Sequence, residues 1–363
     1  MKVALLLSGG VDSSVALHRL LREGHDVTAF YLKIWLEDEL SFLGECPWEE
    51  DLHFARQVCR DAGVPLEVIS LQREYHEQVV RSAVDELRAG RTPSPDVLCN
   101  RRVKYGVFYE YLESEYRDEF QKIASGHYAR LQRGDEGAWN LLRGVDPRKD
   151  QTYFLFRLDQ EQLGRCLFPL GDLTKAQVRE LAHEFALPNR DRKDSQGICF
   201  LGKIRFDDFV ESYLGEDPGV IRDLESGEAL GEHRGLWFHT IGQRRGLGLS
   251  GGPWYVAQKD MTKNELFVVH GQHLDQHRCQ RFQLRELHWI AQIPRSTDLE
   301  VRIRHSPQTE PCRWSPSEHG QAHIELGTGD PGVAEGQVAV LYQGEVCLGG
   351  GIISAQDRQA QIS

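Results

Sequence analysis

The residues able to do chemistry in this chain fall in three short strings: "LLLSGGVDSS" (residues 5–14), "TPSPDVLCNRRVK" (92–104) and "NRDRKDSQGICFLGK" (189–203). In the first, an apolar run from Val3 to Leu7 meets Ser8-Gly9-Gly10, and a helical pattern follows at once. Glycines let backbone N–H groups face an anion, Ser8, Ser13 and Ser14 add hydroxyls, and a helix N-terminus favours negative charge. The loop is not a Walker A sequence, because no lysine follows the glycines, and it is not a GxGxxG fingerprint. Asp12 would repel phosphate unless a cation bridges the two, so it is expected to cap the helix, to hold Mg²⁺, or both. In the second string Cys99 lies close to Arg101, Arg102 and Lys104. In the third, Cys199 lies between Arg192-Lys193 and Lys203. Loop-like, cationic surroundings of this kind favour a reactive thiolate. Cys59, inside "HFARQVCRDAG", reads instead as helix packing.

These strings need a scaffold, and the texture of the chain supplies one. From residue 1 to 204, apolar runs ("KVALLL", "HDVTAFYLKI", "PLEVISL") alternate with amphipathic stretches ("SSVALHRLLREG", "DLHFARQVCRDAG"). Such alternation predicts an α/β fold, a parallel twisted sheet with helices on both faces. Gly24 and Gly63 stand where helix C-caps are expected. Residues 205–276 are short and turn-punctuated, as in a small central domain. Residues 277–363 are dominated by period-2 runs, including a hairpin expected through Gln343-Gly344, and predict a small antiparallel β-barrel. The chain holds 43 basic and 55 acidic residues, a net charge of −12, which argues against indiscriminate nucleic-acid binding. A polyanion must therefore be met by local basic clusters: Arg143–Lys149, Arg190–Lys193, and seven arginines between Arg278 and Arg313 set against four acids. Eight cysteines without a CxxC pair suggest neither a disulfide framework nor a zinc site. A reducing compartment, cytoplasm or organelle stroma, suits them. No apolar run approaches the roughly 20 residues that span a bilayer.

Together with "SGGVDSS", the strings "TPSPDVLCN", "ASGHYAR", "KDQTYFLF", "FPLGDLTKAQVRELA", "KDSQGICF", "HTIGQRRGLGL", "VRIRHSP" and "GQVAVLYQGEVCLGGGII" resemble the tRNA-specific 2-thiouridylases over nearly the whole chain. That family belongs to the ATP pyrophosphatases, with an adenine nucleotide alpha hydrolase-like sheet, a central domain and a C-terminal β-barrel. The resemblance implies that a uridine O2 attacks the α-phosphorus of ATP (bound with Mg²⁺), so that pyrophosphate and then AMP leave. It implies that Leu6, Leu7, Ser8, Gly9, Gly10, Val11, Asp12 and Ser13 hold the nucleotide, with backbone at Leu32 and Gly126 framing adenine and ribose. Cys199 corresponds to the persulfide carrier and Cys99 to its partner. Cys99 either attacks the activated carbon or releases sulfide from the persulfide, and both routes end in a Cys99–Cys199 disulfide.

By the same resemblance, Ser94, Pro95 and Asp96 contact the target base, and His127, Lys149, Asp150, Gln151, Arg304, His305 and Gln337 contact tRNA. The substrate implied is the wobble uridine in the anticodon stem-loop of tRNAs for Lys, Glu and Gln, swung out of its stack. A cysteine desulfurase or relay protein is the implied sulfur donor, and a monomer is expected. The chain departs from the family at Ser94 (commonly Asn), Leu32 (Met), Ile34 (Asn) and His305 (Tyr). Three rivals compete: a small-metabolite ATP pyrophosphatase, a binding module that needs neither Cys99 nor Cys199, and a thiolase with a labile iron–sulfur cluster on Asp96, Cys99 and Cys199. The last is the weakest, since three ligands split across loops form a poor signal.

Overall fold

A computed structural model describes residues 1–34, 48–134, 137–194 and 205–356 of the chain. The first sheet is built from β1 (Lys2–Leu6), β2 (Asp26–Lys33), β3 (Leu66–Ser70), β4 (Lys122–Ser125) and β7 (Cys166–Leu167), all parallel, in the order β3-β2-β1-β4-β7. β1 is central and apolar on both faces, as buried parallel strands are. Its alternation divides the core in two. Val3, Leu5 and Leu7 face the helices Val11–Arg22, Trp48–Ala62 and Lys175–Glu184. Ala4 and Leu6 face the helical layer that includes Arg81–Arg88 and Phe108–Tyr116. Gly24 and Gly63, at φ +76° and +67°, follow the ends of the first two helices as expected. Because β2 lies on one side of β1 and β4 on the other, the winding reverses at β1. The crevice at the carboxyl ends of β1 and β4 is thus the switch point where ligands bind in such sheets.

The helix Phe206–Leu214 leads into a four-stranded sheet of order β10-β11-β8-β9, built from β8 (Gly219–Asp223), β9 (Ala229–His233), β10 (Trp254–Asp260) and β11 (Glu265–His270). Its small core contains Ile221, Leu236, Val256, Leu266 and Val268. Six antiparallel strands then close a barrel: β12 (Cys279–Trp289), β13 (Asp298–Arg302), β14 (Glu310–Pro316), β15 (Ala322–Asp330), β16 (Val338–Gln343) and β17 (Val346–Gln356), with β12–β17 as the closing pair. The β16–β17 turn lies at Gly344–Glu345, one residue beyond the expected position, since Gln343 pairs with Val346.

One element crosses the expected boundary. The hairpin β5 (Ala129–Arg133) and β6 (Trp139–Arg143), within the first 204 residues, pairs with β17 through Leu142↔Val346 and Leu141↔Cys347. β17 pairs with β12 only from Gly349 onward, so its leading end would present open backbone groups. The hairpin covers that edge. Among the described residues no helix is long and apolar enough to cross a membrane.

Candidate active site

The phosphate loop sits at the switch point. Ser14 N–H is the first amide of the helix Val11–Arg22 to find a helical acceptor, Gly10 O at 3.2 Å. The amides just before it belong to the set that a helix leaves without intrahelical partners. Ser13 Oγ accepts the Ser8 N–H at 3.2 Å and donates to Gly10 O at 3.0 Å, tying the loop to the helix start. Gly9 has φ +76°, and a Cβ there would lie 2.1 Å from Asp51 O, so glycine is required. Gly126 follows β4 directly, and a Cβ on it would lie 2.9 Å from Ser13 N and 3.1 Å from the Asp12 carbonyl carbon. Loop and Gly126 therefore meet. Leu32 lies at the end of β2, paired with Ile69.

Asp12 is not the helix cap: Gly10 takes that place, without a side-chain hydrogen bond. Instead, its Oδ1 accepts from Lys175 Nζ at 2.6 Å and from Tyr128 Oη at 2.9 Å. Burial, and then the Asp12 charge, push the Tyr128 pKa up, so its hydroxyl remains a donor. Lys175 also lies 2.8 Å from Asp194, whose carboxylate is further held by Lys149 at 2.6 Å and by Arg179. Burial alone would raise the Asp194 pKa, but the hydrogen bonds from Lys149 and Lys175 outweigh it and hold it at about 2. The Gly9 carbonyl accepts from Asn189 Nδ2 at 2.8 Å, and that amide also donates to Ser14 Oγ at 2.9 Å.

Cys99 departs from the loop setting expected of it. Pro95–Leu98 is a short helix with Pro95 in its first turn, and the chain continues without a break into π-helical turns over Cys99–Val107. The thiol is 1% exposed. This helix is tied to the nucleotide side through hydroxyls: Tyr105 Oη lies 2.8 Å from Ser125 Oγ, which lies 2.7 Å from His127 Nδ1. Ser125 and His127 flank Gly126, so the phosphate loop and the Cys99 helix meet at the carboxyl end of β4. Burial, and then Lys104, hold the half-buried His127 well below the usual histidine pKa. Cys199 lies outside the described residues.

The segment Ser94-Pro95-Asp96 faces the barrel. His305 packs on Phe154 at 4.5 Å between ring centroids, and the Asp96 charge acts on it. Asn100 Nδ2 donates to Phe154 O at 3.2 Å. Ser94-Pro95-Asp96, the Cys99 helix and the start of the helix Thr152–Leu155 are thereby gathered in one place. Gln337 is half-buried and accepts the Ile353 N–H through its carbonyl. Arg304 is paired with Asp330.

Two expectations about tRNA contacts change. Asp150, 2% exposed, is paired with Arg302 at 2.6 Å and accepts from Gly144 N–H and from Thr152. Its carboxylate is inside the protein and has no face for a nucleic acid. The basic run of the barrel is also largely ion-paired: among the described residues, all of its seven arginines but Arg295 pair with a carboxylate, so a phosphate there would have to displace one. Sequence reasoning gave no role to Tyr128, Lys175, Asn189 or Asp194. Lys175 follows the capping-box residue Thr174 and reads as an ordinary helix start, so only its spatial neighbours reveal it.

Comparison with known proteins agrees with this architecture. Residues 1–203 match the family described as "tRNA methyl transferase HUP domain", residues 207–270 its "PRC-barrel domain", and residues 279–353 the "Aminomethyltransferase beta-barrel domain". Relatives named tRNA-specific 2-thiouridylase MnmA include one from Bacteroides thetaiotaomicron, 43% identical over 98% of this chain and 100% of its own. Others are from Idiomarina loihiensis, 41% identical over 97% and 95%, and from Porphyromonas gingivalis, 41% identical over 98% and 99%. With a phosphate loop at the switch point, a cysteine helix beside it and this similarity along its whole length, the chain belongs to the family of tRNA-specific 2-thiouridylases.

Proposed function

We propose that the chain replaces O2 of a wobble uridine in tRNA for Lys, Glu and Gln with sulfur, at the expense of ATP. The observation that carries this reading is the junction at β4, where the glycine against the phosphate loop is flanked by the hydroxyl and imidazole that reach the Cys99 helix. An ATP site alone would serve many reactions. An ATP site abutting a cysteine helix suits one in which an oxygen is first adenylated and then displaced by sulfur.

In this reading the uridine O2 attacks the α-phosphorus and pyrophosphate departs into the loop of Ser8 to Ser13. Asp96 accepts the uracil N3–H. Cys199 brings sulfur as a persulfide from a cysteine desulfurase or relay protein, Cys99 is its partner, and AMP leaves C2. ATP arrives with Mg²⁺. The donor set fits such an ion, since Mg²⁺ at phosphate sites takes one or two carboxylates and the phosphates themselves. Asp12 would hold it with Asp194 nearby, and it would neutralise charge on the phosphates. Lys175 and Tyr128 orient the Asp12 carboxylate.

The test is one reaction of unmodified tRNA, ATP·Mg²⁺ and sulfide, followed for AMP, pyrophosphate and 2-thiouridine, with Cys99→Ser and Cys199→Ser alongside. tRNA-dependent pyrophosphate release with 2-thiouridine in the digest is expected. Sulfide bypasses the persulfide, so Cys199→Ser should still adenylate tRNA yet fail with a persulfide donor. Pyrophosphate release that ignores tRNA would return the chain to the small-metabolite reading, and none at all would return it to the binding-module reading.

A further inference from the structure

Three consecutive residues, Lys149, Asp150 and Gln151, are each engaged inside the protein by a different element. Lys149 Nζ lies 2.6 Å from Asp194 Oδ2. Asp150 is bolted to Arg302 of the barrel. Gln151 Oε1 accepts the Tyr128 N–H at 3.0 Å. Two of these are linked to the glycine loop, Gln151 through Tyr128 and Lys149 through Asp194 and Lys175. Asp194 hands on to Lys175 at 2.8 Å, whose ammonium lies 2.6 Å from Asp12 Oδ1, and Tyr128 Oη donates to that same oxygen at 2.9 Å. Both routes end on a single carboxylate oxygen.

We propose that this turn couples RNA binding to nucleotide binding, with the Lys149 ammonium as its moving part and Lys175 and Tyr128 as positioning residues for Asp12. The inference rests on the thiolation reading above and on the tRNA contact that the family resemblance implies for Lys149. The two states are simple: the ammonium sits on Asp194, or on a phosphate of the RNA backbone. Its side chain is about one-third exposed (36%), so a phosphate reaches it without unfolding anything. When Lys149 leaves, Asp194 keeps Lys175 and Arg179 and draws Lys175 more strongly. Asp12 then loses part of its ammonium while Tyr128, fixed through Gln151, still orients the carboxylate. A carboxylate so relieved is better able to meet the cation that accompanies ATP. RNA therefore tightens the nucleotide, and linkage requires the nucleotide to tighten RNA by the same factor.

The experiment measures the affinity of the full chain for α,β-methylene-ATP with Mg²⁺, whose α–β bond does not cleave, with and without an unmodified anticodon stem-loop. The reciprocal titration is run beside it. The wild type should show tightening of about tenfold in both directions, within the range of ordinary coupling energies. Lys149→Met frees Asp194 permanently, so without RNA it should already bind the nucleotide as the wild type does with RNA, and its coupling factor should fall within about twofold of one. A merely structural role for Lys149 would weaken binding, not tighten it. Lys149→Arg keeps the swap and should retain the coupling. Arg304→Ala should weaken RNA while leaving the coupling factor intact. If RNA and nucleotide both bind the wild type and neither affects the other, the inference is wrong and the thiolation reading stands. If the stem-loop does not bind at all, the reading fails and the inference with it.

Discussion

Removing Asp150 should cost more than removing Arg302, and deleting Arg302 after Asp150 should restore stability. The pair is buried, at 2% and 1% exposure, and its two ends are unequally supported. The Asp150 carboxylate accepts from Arg302 at 2.6 Å, Gly144 N–H at 3.1 Å, Thr152 N–H at 3.2 Å and Thr152 Oγ at 2.9 Å. Arg302 has Asp150 on Nη1, while Nε and Nη2 have no hydrogen-bond partner among the described residues and the guanidinium lies 5.0 Å from the Tyr342 ring centroid. Asp150→Ala therefore strands a buried guanidinium and two amides, a loss of about 3–5 kcal/mol. Arg302→Met removes one charged hydrogen bond from a carboxylate that keeps three other donors, a loss of about 1.5–3 kcal/mol. In the Asp150→Ala background the same Arg302→Met change removes an unpaired buried cation and should stabilise by about 1 kcal/mol or more. Urea unfolding of the four proteins, followed by tryptophan fluorescence, gives the cycle. Additive losses, or an Asp150→Ala cost below about 1 kcal/mol, would refute the reasoning.

Gly9→Ala should destabilise the phosphate loop and abolish nucleotide binding. Gly10→Ala, with φ −79° and its nearest contact Ser8 Oγ at 3.5 Å, should fold normally; thermal melts with and without ATP separate the two. His239 is held at about 4, first by burial and then by His233, Lys259 and Arg234. Its neutral form is favoured in the fold, so the unfolded chain binds the proton first and stability falls as pH drops from about 6.5 towards 4. That loss is about 2 kcal/mol between pH 8 and pH 5. His239→Gln should flatten that slope in urea titrations across the range, and an unchanged slope would remove His239 as its cause. Burial pushes Cys59 and Cys312 up to about 12, whereas Cys279 is half-exposed. Iodoacetamide on the native chain, read by peptide mass, should thus label Cys279 well before Cys59 or Cys312.

What could be read from the sequence was local. The phosphate loop needs about fifteen consecutive residues, strand, turn and helix, and its glycines signal it without any distant partner. The buried pairs did not announce themselves, because their halves lie far apart: Asp12 meets Tyr128 and Lys175 across 116 and 163 residues, and Asp150 meets Arg302 across 152. An aspartate beside a lysine reads as surface until its partner is placed. The loop setting expected of Cys99 fails for the opposite reason. Pro93 and Pro95 punctuate the string as a loop would, yet Pro95 occupies the helix start, where its missing N–H costs nothing. The hairpin β5–β6 lies within the first 204 residues by chain order, yet an uncovered stretch of β17 decides its place.

The stretch just before Ser94-Pro95-Asp96 is where all three parts of the chain meet. Thr92 N–H donates to Glu335 O of the barrel at 2.8 Å, and Thr92 Oγ lies 3.2 Å from Thr240 Oγ of the central domain. Lys259, also central, donates to Gly90 O at 3.0 Å, at the end of the helix Arg81–Arg88. Residues 90–92 are thus pinned from two directions just before Ser94. From there the helix path to Cys99 is rigid, because helical backbone follows without interruption from Pro95 to Tyr116. Under the thiolation proposal, a uridine swung out of its stack costs a few kcal/mol, which a mobile segment at Ser94-Pro95-Asp96 would worsen by its own ordering cost. Pinning that loop in advance from the two domains that lack a nucleotide site removes the second cost. The glycine loop rests independently on β1 and Gly126. The central domain and barrel therefore fix where Ser94-Pro95-Asp96 and Cys99 stand.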